Sequence, residues 1–285
     1  MPETRPERIQ RVSTAGFDVV EKPLSAWERL YGNAALRRIF VLAVLAAIWE
    51  LYARWLNNPL LFPTFSDTIK ALFSSIASGE IPRAAWYSIG MLFQGYVLGL
   101  ILAVLLTGLA SATRIGADLL ETLTAMFNPL PSIALLPLAL IWFGLGNGSI
   151  IFVLIHAVLW AVALNMHAGF RAVSPTLRMV GLNYGLSKPG YLMRILLPAA
   201  FPGILSGLKI GWAFAWRTLI AAELVFGVSS GSGGIGWYIF EQKNQLLIPN
   251  VFAGLLTVII FGLAVENLIF KTIENATVGR WGMQS

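Results

Sequence analysis

The chain has 285 residues, 57% of them hydrophobic and only 12% charged, with a mean hydropathy of +0.73. A soluble domain of this size carries about twice that share of charge, so the composition excludes a soluble globule. The absence of cysteine excludes disulfides, thiolate nucleophiles and Cys-ligated metals, and the placement of the net charge of +6, set out below, argues against nucleic-acid binding.

Residues 1–38 form a polar stretch in which seven Lys and Arg face five acids. No apolar run follows Met1, so a cleaved signal peptide is not expected. The stretch reads as a cytoplasmic N-terminal tail, with an interfacial helix expected around residues 25–30. Hydrophobic segments then fall near 39–57, 84–111, 117–143, 149–170, 196–228 and 250–271. About 20 apolar residues suffice to cross roughly 30 Å of hydrocarbon, so each is a candidate span. The third and fifth contain Pro and Gly expected to break them. The fold class is therefore all-α integral membrane: a six-helix domain over 39–275 and a short tail, 276–285. Six spans put both termini on one side, and that side carries fourteen Lys and Arg against four on the other. Cationic excess marks the cytoplasm, which fixes both tails there.

Between spans one and two, Leu60-Leu61-Phe62-Pro63-Thr64 leads into a short helix. Ser66 is its expected N-cap, and Ile69, Leu72, Phe73 and Ile76 form a stripe at helical spacing before Gly79 closes it. Too short to span, it is expected to lie flat at the outer interface. In the third segment, Pro129, Pro131 and Pro137 each remove a backbone donor. Carbonyls freed at membrane depth are tolerated when buried in protein or lining a wet cavity, which makes Pro131 and Ser132 candidates for a solute path. His156 and His167 follow 11 residues apart. They are three turns apart with no carboxylate between them, so they cannot share a metal. Interhelical hydrogen bonds are the expected role of both, with His156 also a path candidate.

The polar loop 174–198 separates spans four and five. Ser174-Pro175 is a helix start, Leu177, Val180 and Tyr184 form an apolar stripe, and Gly185 ends the helix. Ser187-Lys188-Pro189 starts a second short helix, and Pro198 is expected to open the next span. An apolar stripe facing the cytosol has no lipid to bury in and needs a protein groove.

The fifth segment carries Gly203, Gly207 and Gly211, a small-residue ridge for close helix packing and a candidate homodimer contact. Lys209 is expected to snorkel or cap. Arg217 and Glu223 are charges within a span, costly enough to be functional by default. Six residues apart, they point about 120° from each other and are not expected to pair. Arg217 suits attraction of an anion; both are path candidates, though for Glu223 the favoured role is pinning the outer loop. The run Gly231-Ser232-Gly233-Gly234-Ile235-Gly236 matches a dinucleotide-binding fingerprint but follows a membrane helix rather than a strand, and so fails its context test. It reads as a turn facing an external partner. No P-loop motif occurs, so this chain is not an ATPase.

The order Gly185, nine residues, Ile195, one residue, Leu197-Pro198 resembles the coupling loop of bacterial ATP-binding-cassette (ABC) importer permeases of type I. Three further blocks resemble the nitrate, sulfonate and taurine branch: residues 60–72, residues 129–146, and Ala221-Ala222-Glu223 with Gly233-Gly234-Ile235-Gly236-Trp237. The likeness covers roughly residues 60–275. It departs where the branch usually has Glu-Ala-Ala, occupied here by Met179, Val180 and Gly181. The resemblance implies a multi-pass permease of the bacterial cytoplasmic (inner) membrane, carrying a small anion and doing no covalent chemistry. It implies a homodimer, two cytosolic ATPases, a periplasmic or extracellular binding protein and surrounding lipid, with no cofactor in this chain because ATP and Mg²⁺ are used by the ATPases. Residues Leu177, Val180, Gly181, Tyr184, Gly185, Ile195, Leu197 and Pro198 would couple to the ATPase. An ion-coupled secondary transporter is the competing reading; it usually shows an inverted repeat, which this sequence lacks, and it leaves the 174–198 loop unexplained.

Overall fold

The computed structural model describes residues 32–226 and 233–282, all helix, turn or loop, with no strand among them. The interfacial helix expected at 25–30 and residues 231–232 of the glycine run lie outside the described residues. The chain divides into two units, residues 1–51 and 52–285. The first holds most of α1 (Ala34–Leu56), a 23-residue helix apolar enough to cross a membrane.

The second unit begins at the end of α1 and continues through α2 (Phe65–Ala77), α3 (Glu80–Ala112), α4 (Arg114–Phe127), a 3₁₀ turn (Ser132–Leu135), α5 (Leu136–Phe143) and α6 (Asn147–Ala172). Then come α7 (Pro175–Asn183), α8 (Lys188–Tyr191), a π turn (Leu192–Leu196), α9 (Leu197–Phe226), α10 (Ile235–Asn244), α11 (Ile248–Ala264) and α12 (Lys271–Ala276). Among the described residues five helical stretches are long and apolar enough to span, and α4 with the 3₁₀–α5 segment passes the same test as one stretch bent by 86°.

The break in that bent stretch lies at 128–131, as the prolines predict, but Pro137 does not contribute to it: it sits in the first turn of α5, where a missing N–H has no partner to lose. Nor is the fifth span broken. Pro202 lies inside α9, and the helix runs on from Lys188 to Val225. Pro198 therefore opens nothing. It lies near the start of α9, just after the π turn, where Leu197 N–H reaches back five residues to Leu192 O. A proline at 198 removes the bond that would reach Arg194 O and crowds that carbonyl, and widening the preceding turn relieves the clash.

The core centres on α6, which packs most extensively against α9 and α3. Small residues set both contacts. A Cβ on Gly95 would lie 2.5 Å from Leu154 Cβ, and one on Gly99 2.7 Å from Val158 Cβ. On the other flank Gly203 approaches Gly169, Gly207 approaches Asn165, and Gly211 approaches Val162, each within 3 Å of where a Cβ would stand. The ridge at 203–211 is thus spent on α6 of its own chain, and is not a contact between two copies.

At one end of the bundle α2 is capped by Thr64, whose Oγ1 accepts from Asp67 N–H (3.0 Å) while donating to Asp67 Oδ2 (2.7 Å). The cap is two residues earlier than the expected Ser66. Thr68, Leu72 and Ser75 face inward, leaving Phe73 and Ile76 of the predicted stripe exposed. Ser75 Oγ hydrogen-bonds Tyr238 OH (2.8 Å), joining α2 to α10, and Asn250 Nδ2 donates to Gln242 Oε1 (3.1 Å), joining α10 to α11. Burial pushes the Tyr238 phenol above its ordinary pKa, with the Ser75 bond acting against it. Toward the other end, Lys209 neither snorkels nor caps: its Nζ pairs with Glu274 Oε2 at 2.6 Å, tying α9 to α12.

Candidate functional site

The 174–198 loop is built from local backbone chemistry. Ser174 Oγ accepts from Leu177 N–H, Pro175 occupies the first turn, and α7 runs for nine residues. It ends at Gly185 with φ +64°, where Gly185 N–H bonds Leu182 O (3.0 Å) and Leu186 N–H bonds Gly181 O (3.1 Å). That pair is a Schellman cap, and its left-handed residue favours Gly. Ser187 Oγ then accepts from Gly190 N–H (3.3 Å) to start α8. The result is a compact helix pair that exposes several large apolar side chains: Leu177, Met179, Val180, Leu182 and Tyr184 are all exposed, Tyr184 to 81%.

Four residues grouped with that surface are turned away from it. Gly181 is buried, and a Cβ there would lie 2.7 Å from Tyr191 Cδ2 and 3.1 Å from Ile195 Cδ1. It leaves room for the edge of the Tyr191 ring against α7. Ile195, Leu197 and Pro198 are half-buried and root the loop in the fifth span.

Within the spans, the 86° bend brings the 3₁₀ turn against α6 and α9. Pro131, Ser132, His156 and Arg217 line one cavity of 370 Å³ with Trp160 and Thr218. Ser132 Oγ lies 3.1 Å from His156 Nδ1, which carries out the interhelical bond expected of this histidine. His156 Nε2 and Trp160 Nε1 are shielded and have no hydrogen-bond partner among the described residues. Phe127 stacks on Trp160 at 5.3 Å and meets His156 edge-on. Arg217 is exposed on this face, about two-thirds of the way along α9. A bare guanidinium at membrane depth needs water, a partner chain or an anion beside it.

Glu223 is not part of this cavity. It is 2% exposed, and its carboxyl accepts from Ser88 Oγ (2.7 Å) and from Gly236 N–H (2.8 Å), while Ile235 N–H donates to Ser88 Oγ (2.9 Å). The first two amides of α10, which Gly234 cannot cap with a side chain, are thus satisfied from α3 and α9. Gly234 itself is pressed against the Glu223 carboxyl so closely that no Cβ fits. The described part of the glycine run is therefore a packing device. It presents the Ile235 amide to the Ser88 hydroxyl and the Gly236 amide to the Glu223 carboxyl, not to a phosphate.

His167 departs from expectation more sharply. Both ring nitrogens are shielded and lack a hydrogen-bond partner among the described residues, so no interhelical bond forms. It lines a second cavity, of 740 Å³, between the end of α6 and the α7–α8 pair. Among the described residues, no group of three or more His, Asp or Glu side chains is placed to hold a metal. Ser88, Tyr191 and Glu274 were not singled out from sequence; each acts on a partner more than one element away or against a glycine.

The family model described as binding-protein-dependent transport system inner membrane component matches residues 95–276. The taurine transport system permease protein of Escherichia coli is 30% identical over 237 residues, covering 80% of this chain and 84% of that protein. The nitrate import permease protein of a Synechocystis species is 27% identical, covering 90% and 94%. The bicarbonate transport system permease protein of Synechococcus elongatus is 26% identical, covering 86% and 90%.

Proposed function

The chain belongs to the family of binding-protein-dependent transport system inner membrane components, and from that premise we propose that it forms the path of an ATP-driven importer for a small oxyanion. It is a permease subunit and not an enzyme; the ATP is bound and cleaved by separate subunits. Relatives whose names carry taurine, nitrate and bicarbonate share small size and an anionic head, and this supports the same substrate class here.

The observation that carries the reading is the cavity uniting Ser132, His156 and Arg217. It offers a cation and a hydroxyl to an anion within the span, with the imidazole of His156 holding the Ser132 hydroxyl in place. The exposed face of Arg217 supports a second copy of the chain across the path, since two copies together enclose the charge. The Lys and Arg asymmetry supports termini, and the 174–198 loop, in the cytoplasm of a bacterium with this chain in its inner membrane. The exposed α7 surface of each of two copies then docks one cytosolic ATPase. A binding protein delivers the anion from outside. When ATP draws the ATPases together, α7 moves with them and the path opens outward; hydrolysis resets it.

The test is to purify the tagged chain from its native membranes in mild detergent. A stoichiometric P-loop subunit is expected with the wild type and is expected to be lost from the Leu177→Ala, Tyr184→Ala pair. Uptake that persists after ATP depletion, with no such subunit, would overturn the reading.

A further inference from the structure

The second cavity has a chemistry of its own. His167 and Arg171 contribute from α6, Arg178 from α7, Lys188 from α8, Ser111 from the end of α3, and Tyr191 closes one side. Arg171 is paired with Glu121 at 2.9 Å. Arg178 and Lys188 have no ion pair among the described residues. No Asp or Glu occurs between Arg171 and Glu223 in the sequence. The wall therefore holds three cations and one histidine with no acid among its lining residues. Cations gathered in a concave, partly enclosed space focus their field on it.

The same face of α6 carries both histidines: 11 residues of helix turn through about three revolutions, so His156 and His167 stand one above the other some ~16 Å apart. Each borders one of the two cavities.

We propose that the 740 Å³ cavity is a second anion site, taking a hydrated oxyanion of sulfate or sulfonate chemistry. It rests on the transport reading for its place on the cytoplasmic side. Because Arg178 and Lys188 belong to the helix pair and His167 and Arg171 to α6, an anion held among them ties the pair to the end of a core span. Accumulated anion on the cytoplasmic side thereby holds the loop still and slows further import. An anionic lipid headgroup offers the same chemistry from a different source.

The experiment measures radiolabelled sulfate bound to the full-length chain in phosphatidylcholine nanodiscs. The wild type is expected to bind at two sites. The Arg178→Gln, Lys188→Gln pair weakens one of them roughly tenfold or more, as loss of charged hydrogen bonds implies, and leaves the other intact. Arg217→Gln does the reverse. The Arg178→Lys, Lys188→Arg pair keeps the charge and retains both sites, which separates loss of charge from loss of fold. Displacement of sulfate from this site alone by phosphatidylglycerol identifies the headgroup as the occupant. Sulfate binding indifferent to the Gln pair overturns the proposal, as does equal loss in the charge-retaining pair. If the Gln pair releases the ATPase but not sulfate, these residues belong to docking and the site is likewise rejected. Failure of the transport reading registers elsewhere, in the absence of any co-purifying ATPase.

Discussion

Glu223 shows how a single carboxyl is used inside a membrane protein. It spans two elements, accepting from Ser88 on α3 and Gly236 on α10, and so completes a helix start that has no cap of its own. Replacing it with Ala leaves the Ser88 O–H and the Gly236 N–H buried without an acceptor, a cost on the order of 3 kcal/mol. Hydrogen exchange is expected to show Ile235 and Gly236 amides losing protection in Glu223→Ala, while Glu223→Gln, which keeps an acceptor, retains most of it. Equal protection in both variants would mean that packing alone holds α10. The 223–236 contact was legible only in part: a charge so placed pins something, and the glycines after it mark close approach. Ser88, 135 residues earlier, gave no signal, because a serine in an apolar helix reads like any other small residue.

At the scale of elements, the glycine ridge decides how near α9 comes to α6. Gly207 lies where a Cβ would meet Asn165 Cβ at 2.8 Å and Val162 O at 3.3 Å, so Gly207→Leu forces the helices apart. A destabilisation of about 1–3 kcal/mol is expected for such overpacking, read as a lower midpoint of thermal unfolding in detergent. Gly90→Ala is the contrasting case: nothing stands within 4 Å of its Cβ position, and the better helix former gains up to about 1 kcal/mol. Small-residue spacing announces a close contact without saying with whom, which is why a contact between copies was expected and one within the chain was found. The loop helices were more readable. Ser174, Pro175, Gly185 and Ser187 act on amides within five residues of themselves, so their roles follow from neighbours alone. What the same loop hid was the inward turn of Gly181, since only the folded chain brings Tyr191 over it.

For the whole molecule, the outstanding quantity is orientation. The chain has no cysteine, so a single introduced thiol reports its side without background. Asn183→Cys on α7 and Gln245→Cys after α10 are both exposed. In intact cells a membrane-impermeant maleimide is expected to label Gln245→Cys and to reach Asn183→Cys only after permeabilisation. The opposite pattern would invert the assigned topology and remove the cytosolic docking surface. Six apolar segments and the sign of the loops were readable because hydropathy and charge are summed over many residues. Long-range pairs such as Lys209 with Glu274 were not, because each partner alone has several ordinary explanations.

The unbroken helical run from Lys188 to Val225 has a mechanical consequence. At 1.5 Å per residue its 38 residues make a rod of roughly 57 Å, with the α8 end of the loop at its foot and Glu223 near its tip. Such a rod carries load in compression and torsion, and its most compliant point is the π turn at Leu192–Leu196, where the ladder is widened. A push applied at the foot is therefore partly absorbed as twist within that turn before the remainder travels up the shaft. The far end feels rotation more than translation, and α10, fastened there through the Gly236 amide, swings as a crank rather than sliding as a piston.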